Sequence, residues 1–211
     1  MKQSILMSFQ IFLIGFLLSS CGKDTIKPTV EATEYFPNKV GNYWEYNVYD
    51  SSQIREHPNV PRQYTVKVTI TGTKRLVDDK DAVVWNYEYP WGNEIKYYRN
   101  SGDTIKVYDT IYSKTLTDLL YPRLLFIRPF FDKQEWAGKL LWVDSFFVKE
   151  DAVLNFKNSL LISRKYSGQG TYDFDNFWFE ERIGFIKIHR DEIIQGIRTN
   201  ELWQLKYYNL K

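Results

Sequence analysis

Nine consecutive positions from Gln63 to Thr71 alternate strictly. Tyr64, Val66, Val68 and Ile70 are apolar, while Gln63, Thr65, Lys67, Thr69 and Thr71 are polar. Successive side chains of a strand point to opposite faces. The stretch therefore predicts a strand with one face on a core and the other in water, the habit of antiparallel sheets. A helix would scatter the same residues around its axis.

Shorter versions of the pattern fill much of the chain. Trp44, Tyr46 and Val48 alternate with Glu45 and Asn47, and Val83, Trp85, Tyr87 and Tyr89 follow the turn Asp78-Asp79-Lys80-Asp81. After a turn at Pro90-Trp91-Gly92-Asn93, Glu94 to Arg99 and Thr104 to Tyr112 pair as a hairpin across Asn100-Ser101-Gly102-Asp103. Further strands are expected over Leu140 to Lys149, Leu160 to Ser167, Phe177 to Arg190 and Arg198 to Tyr208, with turns at Gly168-Gln169-Gly170 and Gln195-Gly196. Ser51 to Pro61 is a polar, proline-bearing loop.

Between Ser113 and Gly138 the alternation stops. Thr115 or Thr117 can cap a short helix through Leu119 and Leu120, limited by Pro122. Leu124-Leu125-Phe126-Ile127 is apolar on every side and is expected as a buried connector. Pro37 and Trp44 stand seven apart, as do Pro129 and Trp136, a spacing that either a weak duplication or chance would give. The whole predicts one antiparallel all-β domain over residues 34–211 with about nine or ten strands and at most one short helix. The expected form is a strongly curled sheet or incomplete barrel, with a two-sheet sandwich as the alternative. Curling lets aromatic inner faces cover one another, and no helix here is long enough to do so.

The N-terminus is of another kind. Lys2 gives a positive start, Ile5 to Leu18 is apolar apart from Ser8 and Gln10, and Ser19 and Ser20 are small. These are the three parts of a secretory signal, and the apolar run is shorter than the ~20 residues a spanning helix needs. Leu18-Ser19-Ser20-Cys21 resembles the lipobox of bacterial lipoproteins. That resemblance implies cleavage after residue 20 and a diacylglycerol on the Cys21 sulfur, with an acyl chain such as palmitate on its amine. Two or more chains hold a protein stably at a membrane surface. Residues 21–33, with Pro28 and many polar side chains, read as a flexible tether.

Tyr35-Phe36-Pro37 with Gly41-Asn42-Tyr43-Trp44 resembles the opening of uncharacterised Bacteroidetes-type lipoproteins. Ile183-Gly184-Phe185-Ile186-Lys187 resembles their late strand, and Leu202 to Tyr208 their closing one. The family implies an outer-membrane envelope location and no particular activity.

Charge excludes one class of partner. Of 28 Lys and Arg only Lys2 falls in the signal, leaving 27 against 26 acidic residues in the mature chain and no basic stripe for nucleic acid. Aromatics make up 18% of the chain, enough for an aromatic β core and, in the sharper reading, for a surface on which sugars stack.

Motifs for chemistry are missing. Beyond the expected cleavage point there is no Gly-x-Ser-x-Gly or Ser-x-x-Lys, and the single cysteine is assigned to lipid. The two histidines, His57 and His189, lack zinc spacing. Asp173-Phe174-Asp175-Asn176 and Asp78-Asp79-Lys80-Asp81 read as solvated turns rather than calcium loops. No catalytic, cofactor-binding or metal residue is assigned, and no cofactor is expected. The expected role is a non-enzymatic, lipid-anchored envelope module that binds an apolar or glycan ligand through an aromatic surface or pocket. The competitors are a glycan hydrolase built on a carboxylate pair and a structural subunit held against an envelope protein partner.

Overall fold

The computed structural model describes residues 36–109, 122–128, 130–137, 143–153, 155–168 and 171–211. Contacts divide the chain into Met1–Val30 and Glu31–Lys211. The description below concerns the second unit. Cys21, the tether and the expected helix near Leu119 lie outside the described residues.

Twelve strands form one sheet: β1 (Tyr43–Asp50), β2 (Gln63–Arg75), β3 (Asp81–Tyr89), β4 (Gly92–Ser101), β5 (Thr104–Asp109), β6 (Leu124–Ile127), β7 (Glu135–Ala137), β8 (Val143–Glu150), β9 (Leu160–Gly168), β10 (Thr171–Glu180), β11 (Gly184–Ile194) and β12 (Ile197–Asn209). Their order is β6-β5-β4-β3-β2-β1-β12-β11-β10-β9-β8-β7, and every pairing is antiparallel. Two six-stranded meanders are thus joined where β1 pairs with β12, and the sheet curls almost into a barrel whose seam lies between β6 and β7. Register shifts at Glu45/Tyr46, Ile70/Gly72 and Trp178/Phe179 are bulges of the kind that increase twist and curl. The incomplete barrel is the form expected; the sandwich is not formed.

Side chains close the seam. Trp136 Nε1 on β7 donates to the Leu125 carbonyl on β6 at 2.9 Å, and Gln134 Nε2 donates to the Ile127 carbonyl at 3.2 Å. Phe130 fills the gap between them, 6.3 Å from the Phe126 and Trp136 ring centres. Leu124–Ile127 is therefore a strand rather than a connector, since its backbone pairs with β5. Expected as one strand, Phe177–Arg190 is broken into β10 and β11 by a turn through Arg182, a non-glycine residue at φ 66°. These two corrections and the three-residue β7 raise the count to twelve.

The lumen holds the core. Phe36, just ahead of β1, is fully buried at the centre of the barrel's apolar end. Its ring lies 5.1–6.4 Å from Phe185, Phe179, Phe126, Tyr98 and Trp85, on five different strands. Trp44 and Trp85 stack at 5.0 Å and 8° beside it. The outer face of the first strands is polar, through Glu45, Asn47, Thr65, Lys67 and Thr69. On these strands a polar outer face is the reverse of what a lipid-spanning barrel requires. Among the described residues, no helix is long and apolar enough to cross a membrane.

Both ends of the domain are tied at this apolar end. Asn42 is buried, donates to the Pro37 carbonyl at 2.8 Å and accepts from the Lys211 backbone N–H at 2.8 Å. Gly41 takes φ 89°, which a side chain would strain. From β1, Trp44 Nε1 donates to the Ile183 carbonyl and the Tyr46 hydroxyl to the Phe185 carbonyl, both at 2.7 Å. The two motifs that carry the lipoprotein resemblance therefore touch one another. Their work is to lock the first strand against the β10–β11 turn, which is a packing role.

Trp44 and Trp136 hold the same position, second in the first strand of each meander. Each donates its indole N–H to a carbonyl of the other meander, at Ile183 and Leu125 respectively.

Candidate functional site

Opposite the plugged end the lumen changes character, and strand parity explains how. One inward-facing row across the sheet reads Ile162, Phe177, Ile188, Trp203, Val48 on β9, β10, β11, β12 and β1. Two residues further along each strand, the row toward the other end reads Arg164, Asp175, Arg190, Glu201, Asp50. Charges alternate in sign over the first four positions, so each guanidinium lies beside a carboxylate. The next row holds Tyr166, Asp173, Glu192 and Thr199, placing two carboxyls directly opposite each other on β10 and β11.

From these rows Phe177, Ile188, Asp175, Arg190, Glu201, Asp173, Glu192 and Thr199 line a cavity of about 270 Å³, which Glu56, Lys96 and Arg123 also border. Arg164 Nη1 reaches Asp175 at 2.9 Å and Asp173 at 3.4 Å. Glu201 accepts from the Tyr64 hydroxyl at 2.9 Å and from Trp203 Nε1 at 3.0 Å, with Arg190 at 3.9 Å and its guanidinium 4.8 Å from the Trp203 ring centre. Asp50, beside Glu201 in register, is gripped by Arg55 at 2.7 Å. Its burial works to raise the carboxyl, but bonds from Ser52 and Arg55 prevail and hold it below the ordinary range.

Asp173 and Glu192 behave in the opposite sense. Burial pushes the Asp173 carboxyl up; Arg164 pulls it back and Asp175 adds to the rise. Burial also raises Glu192, and the Asp173 charge raises it further. Like charges in directly paired positions repel, and the two groups lie within hydrogen-bonding reach of one another, so the pair retains a proton beyond the ordinary carboxylate range. Asp173 is 9% exposed, and its Oδ1 receives no donor from the described residues.

At the rim of the same end, Trp91 is 38% exposed and stacks with His57 at 4.4 Å and Tyr89 at 4.9 Å, while Tyr64 meets it edge-on at 5.1 Å. Most other aromatics are core. His189 lies far from His57 in role, its Nε2 bonded to Asn200 Nδ2 at 3.1 Å. Among the described residues, no group of three or more His, Cys, Asp or Glu could hold a metal ion.

The sequence reading placed Asp173–Asn176 in a solvated turn; the structure puts it mid-strand in β10, with Asp173 and Asp175 facing the lumen. A usable signal was present. Asp173 and Asp175 share parity with Phe177, as Arg190 and Glu192 do with Ile188, and Glu201 does with Trp203. Asp78 does lie in a turn, but Arg99 holds it with a two-bond fork of 2.6 and 2.7 Å. Cys21 lies outside the described residues.

No family model matches the chain, and no curated protein does. A solved structure described as a "putative lipoprotein" from Parabacteroides distasonis is similar at 13% identity, covering 83% of this chain and 98% of that one with a TM-score of 0.40. At that level the likeness bears on neither the activity nor the site.

Proposed function

We propose that this chain is a lipid-anchored envelope lipoprotein that acts as a non-enzymatic binding module, taking a small polar ligand into the charged chamber. The carrying observation is the lumen itself: four strands present an alternating row Arg164, Asp175, Arg190, Glu201 at the end of an otherwise aromatic barrel. Burying such a row costs several kcal/mol per ion before pairing offsets it, and an apolar row like the one beneath it would close the barrel without that cost. The lipobox-like Leu18-Ser19-Ser20-Cys21 supplies the anchor, by lipid on Cys21, and the outer membrane is the address the resemblance implies. Phe36, the first described residue, lies at the plugged end, and the chamber lies at the other.

Aromatic residues then serve two purposes. Most build the core, and the Trp91 stack forms the rim of the chamber, where a sugar ring or another flat group would lie. Native mass spectrometry of protein gently extracted from its own membrane tests the reading. A co-purifying small molecule is expected, and its absence from every preparation would contradict the proposal.

Glycan hydrolysis is the second reading, favoured by the raised Asp173 and Glu192, since a general acid must hold its proton. Against it, Asp173 and Glu192 are directly paired neighbours on adjacent strands, whereas the retaining and inverting mechanisms set their two carboxyls about 5 to 9.5 Å apart across the substrate. Release of reducing sugar from envelope polysaccharide, lost in Glu192→Gln, would establish it.

A further inference from the structure

We propose that the Asp173–Glu192 pair is a recognition site for a compact organic cation, the ammonium group of a small ligand seated in the chamber. This rests on the reading of the chamber as a ligand site and names the chemistry of the ligand.

Three independent observations meet at the pair. The first is charge balance. The cavity is bordered by the five acids Glu56, Asp173, Asp175, Glu192 and Glu201 and by the three bases Lys96, Arg123 and Arg190. Arg164, bonded to Asp173 and Asp175, is a fourth base. Five carboxyls against four cations leave one negative charge in excess. An isolated charge in such a site is expensive, and the site meets it with a proton or with a cation.

The second is an orphaned acceptor. The Asp173 side chain is 12% exposed, lines the cavity, and has an Oδ1 to which the described residues bring no donor. An ammonium group brings three N–H donors on one small centre and can serve Asp173 and Glu192 together. Arg164 bonds Asp173 from β9, and Arg123, which borders the cavity, also lowers both carboxyls of the pair.

The third is the pair's register. Asp173 and Glu192 are directly opposed across β10 and β11, which fixes two carboxyls side by side on rigid strands. Burial and mutual repulsion favour the shared proton in the empty site. A ligand ammonium takes the place of that proton, and binding therefore releases it. The charged and titratable groups around the pair are Arg164 and Tyr166 on β9, Asp175 on β10, Arg190 on β11 and Arg123 ahead of β6. Arg164 holds Asp175 at 2.9 Å.

Calorimetry with glucosamine and N-acetylglucosamine separates the cation from the ring that carries it. The expected result is saturable binding of glucosamine, at least tenfold tighter than that of its neutral N-acetyl counterpart. Affinity should weaken as pH falls through the raised carboxyl range of the pair, and proton release should appear as a dependence of the heat on buffer. Asp173→Asn, or Glu192→Gln if that variant fails to fold, should lower glucosamine affinity at least tenfold. Asp191→Asn, which removes a carboxylate bonded to the exposed Arg198 on the other face of β11, should not. Equal binding of both sugars would overturn the cation assignment and leave the chamber standing as a ligand site. Binding of neither, nor of butylamine, would overturn the assignment too. If native mass spectrometry then also finds no bound molecule, the chamber reading falls with it.

Discussion

Single residues carry the contrast between the two ends of the lumen. Phe36 touches rings from five strands and has no solvent exposure. Phe36→Ala is expected to cost about 3–5 kcal/mol, read as a fall in Tm of about 10 °C in thermal denaturation. Asp78 shows the ordinary behaviour of a paired carboxylate. Bonds from Arg99 hold it below its usual range despite some burial, so its contribution is present above that range and is lost as pH falls through the lowered value. Asp78→Asn leaves Arg99 without its fork and should cost about 1–3 kcal/mol at neutral pH, a loss that shrinks in acid.

Asp173 and Glu192 run the other way. Their folded values are raised, so the native state binds more protons than the unfolded one, and stability falls as pH rises through the raised values. Chemical denaturation across the carboxylate range should show that fall in the wild type and a flatter profile in Asp173→Asn. An unchanged profile would mean that the pair does not share a proton.

Elements differ in how legible they were. The strict alternation of Gln63–Thr71 gave β2 at once, because one face meets core and the other water along its whole pairing with β1. The glycine turns were equally clear: Gln195 and Gly196 both take positive φ, as a two-residue hairpin demands. The β10–β11 turn was missed because Arg182 adopts the left-handed region without being glycine. β6 and β7 were missed for a different reason. Four and three residues long, they are too short for periodicity to show, and their pairing depends on the neighbours that reach them.

The inward acids of β10 were misread because polarity was taken as exposure; only parity with Phe177 tells otherwise. The seam offers a test at this scale. Trp136→Phe keeps the ring and removes the bond to the Leu125 carbonyl, costing about 1 kcal/mol. Amide exchange should quicken in β6 and β7 and stay slow in β1 and β12, which are paired on both sides. Uniform quickening would argue against a side-chain-closed seam.

For the whole molecule, the architecture separates an apolar plugged end from a charged one. The motifs resembling lipoproteins meet around Trp44 and Ile183 at the plugged end, and the charged rows sit at the other. Aromatic abundance hints at an aromatic binding surface; much of it is consumed by the core, Trp91 and its neighbours lie at the rim, and Tyr49, Phe131, Phe147, Tyr172, Phe174, Tyr207 and Tyr208 are exposed elsewhere. Cys21→Ser should leave the barrel's thermal stability unchanged and shift the protein from the membrane to the soluble fraction. Retention in the membrane would overturn the anchor.

The central claim is that the charged chamber is where this protein binds, and blocking it is the most direct trial. Thr199 is partly buried and lines the cavity beside Glu192. Native mass spectrometry should compare gently extracted wild-type protein with a folded Thr199→Phe variant, whose ring would fill the mouth. A bound small molecule on the wild type and none on the variant is the expected result; a bound molecule retained by Thr199→Phe would place the ligand elsewhere and contradict the account.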